Sequence, residues 1–205
     1  MPLAFQDPVV SDICHFLENR RKSWNIGGSL AAAPGARRRM SAETLIRLAR
    51  AADVPAVRAI VSEAWLASYG PLVGADKVAA MADALLSDIS LRNMVTDSSA
   101  EAPIALVGGV PAATALARRQ SDCLHVQRLY VAPRFQRRGL GPALLAWLAA
   151  RHRAGLPMRL EAAAANTEAL RFYAREGFAD IGGGQEIIAG IVFDIRRLER
   201  PGRPE

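Results

Sequence analysis

The sequence has little cysteine, almost no lysine and few histidines, and each scarcity removes a class of function. Cys14 and Cys123 are the only cysteines, so neither a disulfide framework nor a four-cysteine metal site can be built. His15, His125 and His152 show no paired ligand spacing, and no metal is expected. Although 51% of the 205 residues are hydrophobic, no uninterrupted apolar run is long enough to cross a bilayer. Of 26 basic residues only Lys22 and Lys77 are lysine, so the formal charge of +6 is carried by arginine in an alanine-rich chain. That bias reads as genome composition rather than a basic binding face, and nothing singles out a nucleic acid or a membrane as partner. The expectation is a soluble cytoplasmic protein with one domain and a real core.

Residues 1–40 differ in character from the rest of the chain. Asp7-Pro8, Gly27-Gly28 and Ala31-Ala32-Ala33-Pro34-Gly35 break any period, and Arg37-Arg38-Arg39 closes the segment. Arg20-Arg21-Lys22 resembles the head of a twin-arginine signal, but the apolar stretch Ile26 to Ala33 is short and begins beside two glycines. The segment reads as a flexible tail, with Met40 as an alternative start, and residues 41–205 as the domain.

From there the pattern becomes periodic. A short strand is expected from Thr44 to Ala49, then a helix capped by Asp53, with Val57, Ile60, Val61, Ala64 and Trp65 at helical spacing. Gly70-Pro71 should stop it. A second helix, capped near Asp76, presents Val78, Met81, Ala82 and Leu85, and Leu91 to Ala102 reads as loop. Ile104 to Val107 and Ala113 to Ala117 flank a glycine turn as a hairpin, and Leu124 to Val131 forms the third strand of the meander. A helix from Ala143 to Arg153, a strand from Met158 to Ala162 and a helix opened by Asn166 or Thr167 come next. Two strands, Phe178 to Ile188 and Ile191 to Leu198, close the domain, with Gly182-Gly183-Gly184 as a bulge or loop. The Leu124 and Met158 strands, joined through a helix, should be parallel neighbours. The fold class is therefore α+β: a mixed, mostly antiparallel sheet with one parallel pair and helices on both faces.

Leu129 to Gly141 carries the chemistry that is legible. Leu129-Tyr130-Val131 has strand character and Pro133 ends it. Gln136-Arg137-Arg138-Gly139-Leu140-Gly141 then turns into a helix whose first turn holds Pro142. Free amides at a helix start, its dipole and two arginines favour an anion, and the glycines let it approach closely.

Leu129-Tyr130-Val131-x-Pro133, Gln136-x-x-Gly139-x-Gly141 and the later Asn166, Ala169, Phe172-Tyr173 and Gly177-Phe178 together resemble the GNAT superfamily of acetyl-CoA-dependent N-acetyltransferases. The likeness spans about Ser41 to Leu198. It implies a bulged strand splayed from its parallel neighbour, with Leu129, Tyr130 and Val131 pairing with the pantetheine arm of acetyl-CoA as a strand would. It implies that amides from Gln136 to Gly141 hold the pyrophosphate, with Ala143 replacing the donor that Pro142 lacks. By the same resemblance Tyr173 is the general acid, and Asn166 anchors the cofactor or caps its helix. Where many relatives place a glutamate base stands His125, with Glu161 on the adjacent strand in reserve. Trp65 and Tyr69 lie where relatives line the acceptor pocket. Each of these side chains has a structural alternative, as core aromatic or as hydrogen-bonded histidine. The implied reaction is acetyl transfer to a small-molecule or protein amine by direct attack. The alternative is a non-catalytic acyl-CoA-binding regulator. Oligomeric state stays open, a homodimer included.

Overall fold

The structure is a computed structural model, and it describes residues 44–152 and 155–202. The reading of residues 1–40 as a tail lies outside the described residues. The chain begins in strand β1 (Thr44–Leu48) and turns through Ala51–Asp53 into helix α1 (Val54–Val73). Asp53 does not cap α1 as expected. Its carboxylate instead accepts from Arg47 at 2.7 and 2.9 Å and from the Arg50 amide at 2.7 Å, tying β1 to the turn. Val57, Ile60, Val61, Ala64 and Trp65 are buried along one face of α1, as their spacing requires.

The helix does not stop at Gly70-Pro71. A proline normally pushes its predecessor out of helical conformation by clashing with that residue's Cβ, and Gly70 has none. α1 therefore runs to Val73 and ends where Gly74 adopts φ 92° and donates its amide to the Gly70 carbonyl at 2.9 Å. Helix α2 (Ala75–Leu85) starts at once, one residue before the expected cap at Asp76. The segment read as loop holds a helix, α3 (Asp88–Thr96), capped by the Ser87 hydroxyl accepting from the Ser90 amide at 3.2 Å. Leu91 is its one buried side chain, too few to print a period.

Strand β2 (Ala100–Glu101) and strand β3 (Pro103–Val107) lead to a hairpin with β4 (Val110–Arg119). Gly108 and Gly109 form its two-residue turn at φ 56° and 78°, a geometry that favours glycine at both positions. The remaining elements come in the expected order: β5 (Leu124–Val131), α4 (Leu140–Arg151), β6 (Met158–Ala163), α5 (Thr167–Arg175), β7 (Ala179–Ile188) and β8 (Ile191–Arg200). The sheet order is β1-β3-β4-β5-β6-β8-β7, with β2 also on β4, and every pair is antiparallel except β5 with β6. The expected bulge falls one residue earlier, at Ile181, where the register shifts between Asp180 and Gly182, and the glycines themselves pair regularly with Arg197, Arg196 and Ile195. Helices α1, α2 and α3 cover one face, where Trp65, Leu86 and Leu91 pack on Ile104 and Phe193. Helices α4 and α5 cover the other, where Leu144, Leu148 and Tyr173 pack on Leu124 and Leu160. Among the described residues, no helix is long and apolar enough to cross a membrane.

Asp97 joins α3 to the sheet. Its carboxylate takes the guanidinium of Arg118, the Ser99 amide at 2.8 Å and the Ser99 hydroxyl at 2.7 Å. The Ser99 and Arg118 hydrogen bonds hold the Asp97 carboxyl down at about 2. The stabilisation is thus complete above the ordinary carboxylate range and is lost as pH falls toward 2. Asp97→Ala should cost about 1–2 kcal/mol at pH 7, and the gap between the two proteins in urea denaturation should close between about pH 4 and pH 2.

Candidate active site

Strands β5 and β6 pair through two residues and then part. Leu124 stands opposite Met158 and His125 opposite Arg159, and from Val126 to Val131 that edge of β5 has no strand partner among the described residues. On its other side β5 is bulged. Arg128 pairs with Leu116 and Val126 with Ala117, which leaves Gln127 as an extra residue. A bulge bends its strand and sharpens the twist, and here it accompanies the divergence of β5 from β6. The expected splay is present, with Leu129, Tyr130 and Val131 along the open edge.

The open edge leads into the glycine turn. Arg137 and Gly139 take left-handed conformations, at φ 60° and 84°, and α4 starts at Leu140. Leu140 sends its side chain into the core, which leaves only its backbone to the outer side of the turn. The first amides of a helix have no intrahelical acceptor. Pro142 has no N–H, and Ala143 cannot replace it as expected, because its amide already donates to the Gly139 carbonyl at 3.1 Å. The Gln136 amide, expected among the donors, is likewise taken, by the Pro133 carbonyl at 3.2 Å, so the free donors lie between Gln136 and Pro142. No atom lies within 4 Å of where a Gly139 Cβ would stand, so the turn is open on that side. Gln136, Arg137 and Arg138 are exposed, the Gln136 side-chain amide reaching the Val131 carbonyl at 3.5 Å. Arg134 and Arg138 flank the Phe135 ring at 5.3 and 5.4 Å. Gly141 has a different task. A Cβ there would lie 2.9 Å from Cζ of Phe172, so this glycine lets α5 approach α4.

Polar side chains collect at the base of the gap, where the two strands part. His125 Nε2 lies 2.7 Å from Glu161 Oε2, so the two candidate bases are one unit. Their exposures differ: the His125 side chain is 6% accessible and that of Glu161 is 23%. His125 Nδ1 is buried without a partner among the described residues. Tyr173 belongs to the layer of α4 and α5, its ring 5.0 Å from Phe172 and 5.5 Å from Phe178. Tyr69 and Tyr130 belong to the opposite layer, Tyr69 against Phe193 at 5.8 Å and Tyr130 against Trp65 at 6.2 Å. Burial pushes the Tyr173 phenol well above its usual value, and Tyr130 and Tyr69 add to that rise. Phenols from opposite faces of the sheet thus feel one another's charge where the sheet is open.

Asn166 does cap α5, its Oδ1 accepting from the Ala169 amide at 3.1 Å, and its side chain also lies against the Tyr69 hydroxyl. Trp65 and Tyr69 are both in the core layer of α1, and Tyr69 reaches the cluster with its phenol. One member was invisible to sequence reading. Glu186, on β7, has its carboxyl pushed up by burial and by Glu161, with His125 opposing. It stands opposite Phe193 in a strand full of glycine, where neither period nor motif marks it.

A sequence profile described as the acetyltransferase (GNAT) family matches residues 63–178, more than half of the chain. The chain belongs to that family. It is an acyltransferase of the N-acetyltransferase type. No curated protein matches its sequence. Among solved structures it is similar to the PaiA N-acetyltransferase of Thermoplasma acidophilum in complex with coenzyme A, at 19% identity and TM-score 0.66, covering 77% of this chain and 98% of that one. A GCN5-related N-acetyltransferase from Rhodopseudomonas palustris is 20% identical at TM-score 0.63, covering 81% and 99%. The ribosomal-protein-S18-alanine N-acetyltransferase of Escherichia coli is 20% identical at TM-score 0.56, covering 79% and 96%. At these identities the likeness to the three structures is one of fold.

The glycine turn and Tyr173 are thus packed together through Gly141 and Phe172. Gly141→Ala should force Phe172 aside and disturb Tyr173 behind it. The expected loss is about 1–3 kcal/mol in thermal or urea unfolding, with a fall in acetyl transfer; an unchanged melting temperature would remove this role.

Proposed function

We propose that this acyltransferase transfers acetyl from acetyl-CoA to a primary amine by direct attack in a ternary complex. The observation that carries this reading is the gap between β5 and β6, which pair through two residues and leave the edge of β5 from Val126 to Val131 open. The residues present suit the donor. The open edge at Leu129, Tyr130 and Val131 would take the amides of a pantetheine arm. The amides ahead of Pro142, with Gln136, Arg137, Arg138, Gly139, Leu140 and Gly141 around them, would take its pyrophosphate. Bound acetyl-CoA supplies an activated thioester and leaves as a thiol.

The protein's own work is then positioning and proton handling. An alkylammonium has a pKa near 10 and must be deprotonated before it attacks. Glu161 is the more accessible member of the dyad, and its carboxylate would meet the amine. His125, behind it, orients the carboxylate through Nε2 and shares the proton. Tyr173 Oη keeps its proton throughout the working range, because burial opposes the phenolate, and stands ready to donate where negative charge develops. Trp65 and Tyr69 would bound the acceptor's side of the gap, and Asn166 would steady Tyr69. We read residues 41–205 as the catalytic domain and its setting as cytoplasmic, with a small-molecule or protein amine as acceptor.

Acetyl-CoA-dependent thiol release across an amine panel tests the reading. Turnover on at least one amine is expected; tight acetyl-CoA binding with no turnover on any acceptor would favour the regulatory alternative. Tyr173→Phe and Glu161→Gln should each lower kcat about 100-fold while leaving the KM for acetyl-CoA nearly unchanged. A kcat close to wild type in either variant would remove that residue from its role.

A further inference from the structure

A half-buried arginine in the central strand has no partner among the described residues. Arg128 sits at the β5 bulge, between the His125 of the dyad and Tyr130. It makes no hydrogen bond and no ion pair there, and its Nη1 is fully enclosed. Other partly buried arginines behave differently: Arg47 holds Asp53, Arg118 holds Asp97, and Arg159 holds Asp122 and Glu199. Arg128 instead lines a narrow cavity of about 10 Å³ under α1 and α3, with Val57, Val61, Met94, Val95 and Thr114. That is room for a single water-sized group. The walls offer little to solvate a cation, since four are aliphatic or thioether side chains and the Thr114 hydroxyl already donates to the Pro103 carbonyl at 3.1 Å. A guanidinium enclosed without a counter-charge is costly, and protein interiors ordinarily pair it.

The surroundings are polarised. Tyr130 senses the Arg128 guanidinium and the Glu186 carboxylate, and Glu186 in turn senses Glu161 and His125. A guanidinium two residues away on β5 and a carboxylate from β7 therefore both lie near Tyr130, and no ion pair joins them. A ligand complementary to that arrangement carries an ammonium and a carboxylate.

We propose that Arg128 is the carboxylate anchor of the acceptor site, so that the amine acetylated here is a small zwitterion of the amino-acid type. This rests on the transfer reading above and names its substrate class. The ammonium end would face Glu161 and Glu186, and one carboxylate oxygen would fill the space beside Arg128 with the charge-assisted geometry a guanidinium favours.

The test compares amino acids of increasing chain length with their own amides as acceptors, for wild type and Arg128→Met. Wild type should prefer the acid over its amide by about ten-fold or more in kcat/KM, since an amide leaves the guanidinium unpaired. Arg128→Met should abolish that preference by raising KM for the acids, with kcat on the amides retained. A second readout needs no turnover. The melting temperature of wild type should rise with the preferred acid and not with its amide. Arg128→Met should not respond, and on its own it should melt higher than wild type because the lone charge is gone. Equal use of acids and amides by wild type, no thermal response to any acid, or an Arg128→Met protein that melts lower would each overturn the anchor. Carboxylate-dependent thermal response without thiol release would support the anchor while overturning the transfer reading.

Discussion

The site proposed for this chain rests on two parallel strands that stop pairing after two residues. β5 and β6 meet at Leu124 and His125, where Arg159 clamps Asp122 on one side and Glu199 on the other. Beyond that clamp the Gln127 bulge accompanies the separation of the strands. A sheet interrupted in its middle exposes backbone that ordinarily must be paired, a cost that persists where a ligand can repay it. The gap also abolishes the usual separation of a sheet's two faces. Tyr173 from one layer and Tyr69 and Tyr130 from the other share one electrostatic environment, and the His125–Glu161 dyad sits at its base.

Much of this was legible in the sequence, and the reasons differ by element. The meander, the glycine turn and the α5 helix are written in local chemistry: paired glycines at the hairpin, Pro133 ending a strand, Asn166 opening a helix. The parallel pair followed from connectivity alone. α3 was missed because a helix with one buried residue prints no period. The end of α1 was misread because a proline signal presumes a Cβ on its predecessor, and Gly70 lacks one. Asp53 and Ala143 were assigned hydrogen bonds that nearer partners, Arg47 and the Gly139 carbonyl, already occupy.

The site was harder to read than the fold. Motif positions single out Tyr173, Gly139 and His125 as candidates, but a one-dimensional pattern cannot say that His125 and Glu161, 36 residues apart, form one hydrogen-bonded unit. Nor can it rank them by access. Glu186 and Arg128 have no local signal at all. Each becomes conspicuous through what surrounds it, a carboxyl pushed up by a neighbouring carboxylate and a guanidinium that nothing among the described residues neutralises. Such residues are found by asking which enclosed charges remain unanswered.

The contact of Phe172 with Gly141 has a mechanical consequence. It joins the start of α4, where the glycine turn lies, to α5, which carries Tyr173, on the same side of the sheet. The two helices are bolted together at one point, with no side chain on α4 between them. Should the strands breathe apart or draw in, turn and tyrosine would travel as a single jaw, and their mutual spacing would not change.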